Sequence, residues 1–359
     1  MNGNLHKAGD IIGDRYLVLG FIGQGGMQEV YQAEDKLLGK IVALKAPKNL
    51  SAQKRFKRSA VVSAKVNHPN VAKTLDYVDV DENHAYLVEE YIPGKDLSRV
   101  LREDLPLLDP QIVARIFHHL ARGLAASHHA GVIHRDLKPS NVMSVDGALV
   151  SDVKITDFGI AKMAEEEIAE AAEGGEESLT ASQTAIGALP YMAPEIISSM
   201  KSADKPADIW SLGAMCFELL TGIKPFGAGL KAVSAIQAGK LPPFPTELSK
   251  SQFAPLAKDI LSVVQKCLQL EQKARPTADE LVKLCETFCY PANPREFGVV
   301  DSMRNAFFGF ITAAAGKSVF FHRDSIFGAN TAASGERVVF TRYPGEGSDR
   351  AFPVVKLRK

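Results

Sequence analysis

Lys45 closes the apolar run Val42-Ala43-Leu44, where a strand would carry it to the inside of a sheet. A buried ammonium is costly unless an anion stands against it, so a fold for this chain must bring an anionic partner to that strand. The surroundings fit a sheet. From Tyr16 to about Leu44 short apolar and β-branched runs (YLVLGFIG, EVYQAED, KIVALK) are broken by glycine and predict three antiparallel strands. VAKTLDYVDV and AYLVEEYI predict two more, and Lys54–Val66 reads as a basic amphipathic helix.

From Pro110 onward the period changes. IVARIFHHLARGLAASHHAG places apolar residues every three to four positions and ends on glycine, a helix with its stop signal. A small β-rich lobe therefore precedes a larger helical one. Ala164–Ser182 is acidic and poor in large apolar residues, and reads as a loop. Tyr290–Glu296 carries two prolines and reads as a linker, after which short strands return. At roughly 100–200 residues per domain the chain is long enough for two or three domains.

Bulk properties narrow the class. Lys+Arg and Asp+Glu both number 42, which argues against whole-protein steering toward nucleic acid and leaves room only for a local basic patch. The four cysteines, Cys216, Cys267, Cys285 and Cys289, form no CxxC pair and read as reduced core thiols. No apolar run approaches the ~18–20 residues of a membrane span. The first residues, MNGNLHKAGD, lack a signal-peptide layout, so a cytoplasmic protein with no membrane partner is expected.

The motifs carry the chemistry. Gly23-Gln24-Gly25-Gly26-Met27-Gln28-Glu29-Val30 lies on a predicted strand–turn–strand, where glycines let backbone N–H groups close over phosphates; alone, it is also what a plain turn looks like. Then come Lys45, His134-Arg135-Asp136-Leu137-Lys138-Pro139-Ser140-Asn141, Asp157-Phe158-Gly159, Ala193-Pro194-Glu195, Asp208-Ile209-Trp210-Ser211-Leu212-Gly213 and Arg275. In this order and spacing, residues 14–289 resemble the eukaryotic-type (Hanks-type) protein kinases, and GGM and YMAPE resemble the bacterial Ser/Thr members. The resemblance implies an α+β bilobal fold, with a β-rich N-lobe over about 14–92 and a helical C-lobe over about 93–289. It also implies ATP and Mg²⁺ as cosubstrate and cofactor, and a protein Ser/Thr hydroxyl as acceptor.

By that resemblance Lys45 grips the α/β-phosphates, and Gly23, Gly25, Gly26 and Val30 cover the nucleotide. Glu90 and Ile92 fall at the nucleotide-binding hinge. Asp157 and Asn141 hold metal, Asp136 accepts the hydroxyl proton and Lys138 neutralises the γ-phosphate. Glu195 and Arg275 form a structural ion pair in the large lobe. Ser178, Thr180, Ser182 and Thr184 are candidate phosphosites in the activation segment, with Arg135 as the residue that would order it; a merely solvated loop is the alternative.

The sequence departs from the family in places. Gln28 replaces the third loop glycine, either crowding the phosphates or facing outward. Ser59 stands where the glutamate partner of Lys45 is expected, and Lys54–Lys65 contains no acidic residue. Ala188 replaces a threonine that ties the substrate-binding loop to the catalytic residues. Aligning Tyr86–Ile92 on the hinge puts Glu89 at the usually apolar gatekeeper position. There it either pairs with Lys45 or, if the alignment slips by one, faces solvent. These departures keep a nucleotide-binding pseudokinase or a regulatory adaptor open beside an active kinase.

Residues 297–359 resemble a cold-shock domain, a small five-stranded barrel of the oligonucleotide-binding (OB) type. The resemblance rests on Phe308-Gly309-Phe310-Ile311, Val319-Phe320-Phe321-His322, Gly335-Glu336-Arg337-Val338-Val339-Phe340 and Ala351-Phe352-Pro353-Val354. It implies a stacking platform of Phe308, Phe310, Phe320 and His322 for single-stranded RNA or DNA. The family's early Lys-Trp-Phe is replaced here by Val300-Asp301-Ser302. A protein-docking or autoregulatory barrel and a structural cap are the other readings. A regulatory barrel predicts that deleting 297–359 shifts the rate more than the stability of the kinase lobe.

Overall fold

The computed structural model describes residues 4–25, 28–48, 56–57, 60–81, 84–158, 187–199, 204–229, 231–314 and 316–358. The N-terminal lobe is a six-stranded sheet of β1 (Ile11–Ile12), β2 (Tyr16–Gln24), β3 (Gln28–Asp35), β4 (Lys40–Pro47), β5 (Thr74–Asp81) and β6 (His84–Glu90), in the order β1-β2-β3-β4-β6-β5. All pairings in it are antiparallel. Alternation along β3 and β4 turns Tyr31, Ala33, Val42 and Leu44 into one small core. Within the predicted Lys54–Val66 helix, residues 56–57 and 60–63 are helical.

The larger lobe is built on the helix Pro110–His129. Asp109 caps its start by accepting from Gln111 N at 3.1 Å and Ile112 N at 3.3 Å, with Pro110 at the first helical position. The helix Lys205–Thr221 packs beside it and is buried almost throughout, Trp210 completely. The helices Ala254–Cys267 and Ala278–Glu286 complete that core, the latter opened by a Thr277/Glu280 capping box. Between the lobes runs a small sheet of β7 (Lys95–Asp96), β8 (Val142–Ser144) and β9 (Val153–Ile155). The connection from the N-lobe passes so close to β8 that a Cβ on Gly94 would lie 1.8 Å from Ser144 O, which only glycine permits.

The remaining strands are β10 (Arg295–Met303), β11 (Phe308–Ala313), β12 (Ser318–His322), β13 (Ile326–Phe327), β14 (Arg337–Tyr343) and β15 (Arg350–Lys356). Their order, β12-β11-β10-β14-β15-β13, closes through a β12–β15 pairing, so β10, β11, β12, β14 and β15 form a five-stranded closed barrel.

β10 starts at Arg295, inside the stretch 290–296 predicted as a linker. That stretch is tied down at both ends. Tyr290 Oη lies 2.8 Å from His118 Nδ1, and the buried Arg295 guanidinium lies 3.8 Å from Asp109. The barrel shares a core with the helical lobe. Phe253 stacks on Phe352 at 5.2 Å and meets Phe327 edge-on at 4.9 Å. Phe327, Val339 and Val355 belong to the same apolar cluster as the lobe's helices. Lys250 Nζ donates to the carbonyls of Ile326 and Ala329 at 3.0 and 2.8 Å.

Candidate active site

The β4–β6 register explains how a buried lysine finds its anion. Lys45 stands opposite Leu87 and Ala43 opposite Glu89, so Lys45 and Glu89 are diagonal neighbours on one face. Both are about 5% exposed, and Lys45 Nζ donates to Glu89 Oε2 at 2.5 Å. The same ammonium donates to Asp157 Oδ1 at 2.7 Å. Burial opposes the Lys45 charge, but Asp157 and Glu89 outweigh it and hold the lysine pKa above its ordinary value. Burial pushes the Glu89 carboxyl up, against the pull of Lys45. Asp157 lies below the usual carboxylate range, because Lys45 and the Gln28 amide overcome its burial. Glu89 thus faces inward and meets the lysine.

The segment after the helix Pro110–His129 is pinned from below. Asp208, fully buried, accepts from His134 N at 2.8 Å and Arg135 N at 2.7 Å, and also meets His128 Nε2 at 2.9 Å. These bonds hold Arg135 at φ +67, a left-handed conformation a non-glycine residue adopts only when its surroundings impose it. The His134 ring donates from Nε2 to Thr156 O at 2.9 Å and accepts from Asp136 N at 3.2 Å, which fixes its tautomer. Asp136 then accepts from Lys138 Nζ at 2.7 Å and from Asn141 Nδ2 at 3.0 Å. Because Nδ2 is spent on Asp136, Asn141 has its amide oxygen left for another partner.

Lys45, Asp136, Lys138, Asn141 and Asp157 line a single cleft of about 690 Å³ between the lobes, together with Gly23, Gly25, Val30, Glu89, Glu90 and Ile92. Glu90 is fixed by Lys154 Nζ at 2.6 Å. Lys48 Nζ ties the glycine hairpin to β4 through Gly25 O at 2.9 Å. Gln28 turns inward, 7% exposed, and its Nε2 donates to Asp157 Oδ1 at 3.0 Å. Away from the cleft, Arg275 grips Glu195 by paired bonds of 2.6 and 2.8 Å and covers the Trp210 ring at 5.0 Å. Gly26, Ser59, Ser178, Thr180, Ser182 and Thr184 lie outside the described residues.

The donor set suits a hard divalent cation shared with phosphate oxygens. No group of three or more His, Cys, Asp or Glu that could cage a metal occurs among the described residues. Asp157 and the Asn141 amide oxygen offer instead the sparse ligation that Mg²⁺ takes when substrate phosphates complete its shell.

On the barrel, strand alternation puts Phe308 and Phe310 on one face, with Phe310 opposite Phe320 and Phe308 opposite His322. The rings of Phe308, Phe310 and Phe320 lie 5.6–6.3 Å from one another. His322 differs: its Nδ1 accepts from Asp324 N at 3.2 Å and lies 3.3 Å from the Asp324 carboxylate. Sequence reasoning missed Phe307, which is 55% exposed beneath the Arg323 guanidinium.

The chain belongs to the protein kinase domain family, whose family model matches residues 16–284. It is 34% identical over 255 residues to a probable serine/threonine-protein kinase of Corynebacterium efficiens, covering 69% of this chain and 37% of that one. It is 36% identical over 226 residues to a probable serine/threonine-protein kinase PknB of Lactococcus lactis, covering 61% and 34%. The chain thus spans little more than a third of the length of these curated relatives. Among solved structures, Rad53 residues 1–466 in complex with AMP-PNP matches with a TM-score of 0.57 and 25% identity, over 75% of this chain and 64% of that one. No helix among the described residues is long and apolar enough to cross a membrane.

Proposed function

We propose that this chain is a protein serine/threonine kinase that transfers the γ-phosphate of ATP to a Ser or Thr hydroxyl. The observation that carries this reading is the convergence of Lys45, Asp136, Lys138, Asn141 and Asp157 on one cleft. The substrate hydroxyl attacks the γ-phosphorus, its proton passes to the Asp136 carboxylate, and the bond to the β-phosphate oxygen breaks to release ADP. Lys138 and Lys45 offset negative charge on the γ- and α/β-phosphates. A divalent cation held by Asp157 and Asn141 would neutralise further phosphate charge. The hairpin at Gly23 and Gly25, Val30 and the hinge at Glu90 and Ile92 enclose the nucleotide.

The test is incubation with γ-labelled ATP and Mg²⁺, followed by identification of the labelled residue. Label on Ser or Thr is expected. Tight ATP binding without any label would overturn the reading in favour of a nucleotide-binding pseudokinase.

Glu89 takes the place of the missing helix carboxylate. When Asp157 turns to a cation, Glu89 is the group that still orients Lys45. Glu89→Gln removes a buried, charge-assisted hydrogen bond of about 1.5–3 kcal/mol, so kcat/KM is expected to fall roughly ten- to a hundredfold. Steady-state rates at saturating Mg²⁺ check this; an unchanged kcat/KM would remove Glu89 from the site.

A second reading concerns residues 297–359. The ring cluster of Phe308, Phe310 and Phe320, with Arg304 over Phe310 at 5.8 Å, favours a cold-shock-like, OB-type module that stacks single-stranded nucleic acid. Base–aromatic stacking contributes about 1–3 kcal/mol per base, so Phe320→Ala should weaken binding of a labelled single-stranded oligonucleotide several-fold or more. If the intact chain shows no binding by anisotropy at low salt, the barrel serves a protein partner or a structural role instead.

A further inference from the structure

Gln28 enters the cleft beside Asp157, yet phosphoryl transfer as described has no use for it. The strand delivers it there. Gln28 opens β3 opposite Pro47, and its carbonyl accepts from Gly25 N at 2.8 Å, which anchors the hairpin at that residue. Its Nε2 donates to Asp157 Oδ1, the same oxygen that accepts from Lys45. The other end of the amide is the anomaly: Gln28 Oε1 is buried and has no hydrogen-bond partner.

A buried amide oxygen without a partner is costly, because it has given up its hydrogen bonds to water. Turning the amide over does not relieve this by itself, because Oε1 would then face the Asp157 carboxylate, acceptor against acceptor. After such a turn the amide oxygen gains a partner only when positive charge lies between it and the carboxylate. Lys45 has only its third N–H left for that need, since its ammonium already donates to Glu89 and Asp157. A divalent cation at Asp157 meets it in full. It takes hard oxygen donors, a neutral amide oxygen among them, and it repels the N–H that now points at Oδ1.

We propose that Gln28 is a cation-positioning residue: when a divalent cation is held at Asp157, the Gln28 amide turns over and Oε1 enters the cation's oxygen shell, directly or through a bound water. This rests on the reading that Asp157 holds the cation. In the cation-free state the same amide caps the carboxylate through Nε2, so one side chain serves both states by a half-turn.

The test uses the full chain with ADP and Mn²⁺, with bound Mn²⁺ followed by electron paramagnetic resonance. Gln28→Ala is expected to weaken Mn²⁺ binding about tenfold or more, the usual effect of removing a group that orients a metal site. Gln28→Glu, which adds a charged oxygen at the same reach, is expected to tighten it. Metal-free ADP binding should be the same in the parent and in Gln28→Ala, which verifies an intact cleft. Unchanged Mn²⁺ affinity in both variants, or tighter binding in Gln28→Ala, overturns the proposal. Asp157→Asn separates the two levels: wild-type Mn²⁺ affinity in that variant would show that the cation is not held at Asp157, and the underlying site assignment fails with it. Lost affinity in Asp157→Asn with no effect at Gln28 overturns only the role of Gln28.

Discussion

Asp136→Asn is expected to lower label transfer from ATP to Ser or Thr by roughly 10²–10⁴-fold while leaving ATP affinity unchanged. The carboxylate is poised by Lys138 Nζ at 2.7 Å and Asn141 Nδ2 at 3.0 Å, on a segment whose backbone Asp208 fixes. An asparagine side chain fills the same space, so the cleft and its nucleotide contacts should persist. It cannot accept the hydroxyl proton, and its NH₂ group would meet the donors of Lys138 and Asn141. The residual rate would come from charge stabilisation by Lys45 and Lys138, which the substitution does not touch. Single-turnover incorporation of label with both proteins measures the ratio. A variant that transfers phosphate at the wild-type rate would show that the proton leaves by another route.

The bilobal fold and most of the cleft were legible because the polar blocks are local. Asp136, Lys138 and Asn141 stand within six consecutive residues, and their mutual bonds follow from that proximity. Glu89 was legible by contradiction. A carboxylate at an inward strand position needs a cation, and the strand register supplies Lys45 as its diagonal neighbour. Gln28 was not legible, because its direction depends on Asp157, a residue 129 positions away in sequence. Alternation could place Phe320 and His322 on one face, but not reveal that His322 would turn to Asp324. The prolines of Tyr290–Glu296 signalled a connection. They carried no sign that Arg295 would be buried near Asp109, because what covers an outer strand face is settled by tertiary packing alone.

That packing changes what removal of the barrel would do. From the sequence, a regulatory barrel was expected to alter the rate more than the stability of the kinase lobe when 297–359 is deleted. Phe327, Val339 and Val355, however, complete a core that also contains Phe253 and the lobe's helices. Phe327→Ala, a substitution on β13 beside the barrel and outside the kinase lobe, is therefore expected to destabilise the helical lobe as well. Large-to-small changes at buried aromatic sites cost about 3–5 kcal/mol. Phe327 is 1% exposed and meets Phe253 edge-on at 4.9 Å, so its removal would leave a cavity on the lobe side of the junction. The single tryptophan of the chain, Trp210, is buried in the helical lobe and reports on that lobe alone. Denaturant unfolding followed by Trp210 fluorescence should show a lower midpoint in the Phe327→Ala variant than in the parent. Were the barrel an independent appendage, the Trp210 midpoint would stay fixed while the barrel alone lost structure. That outcome would restore the expectation of a removable regulatory module.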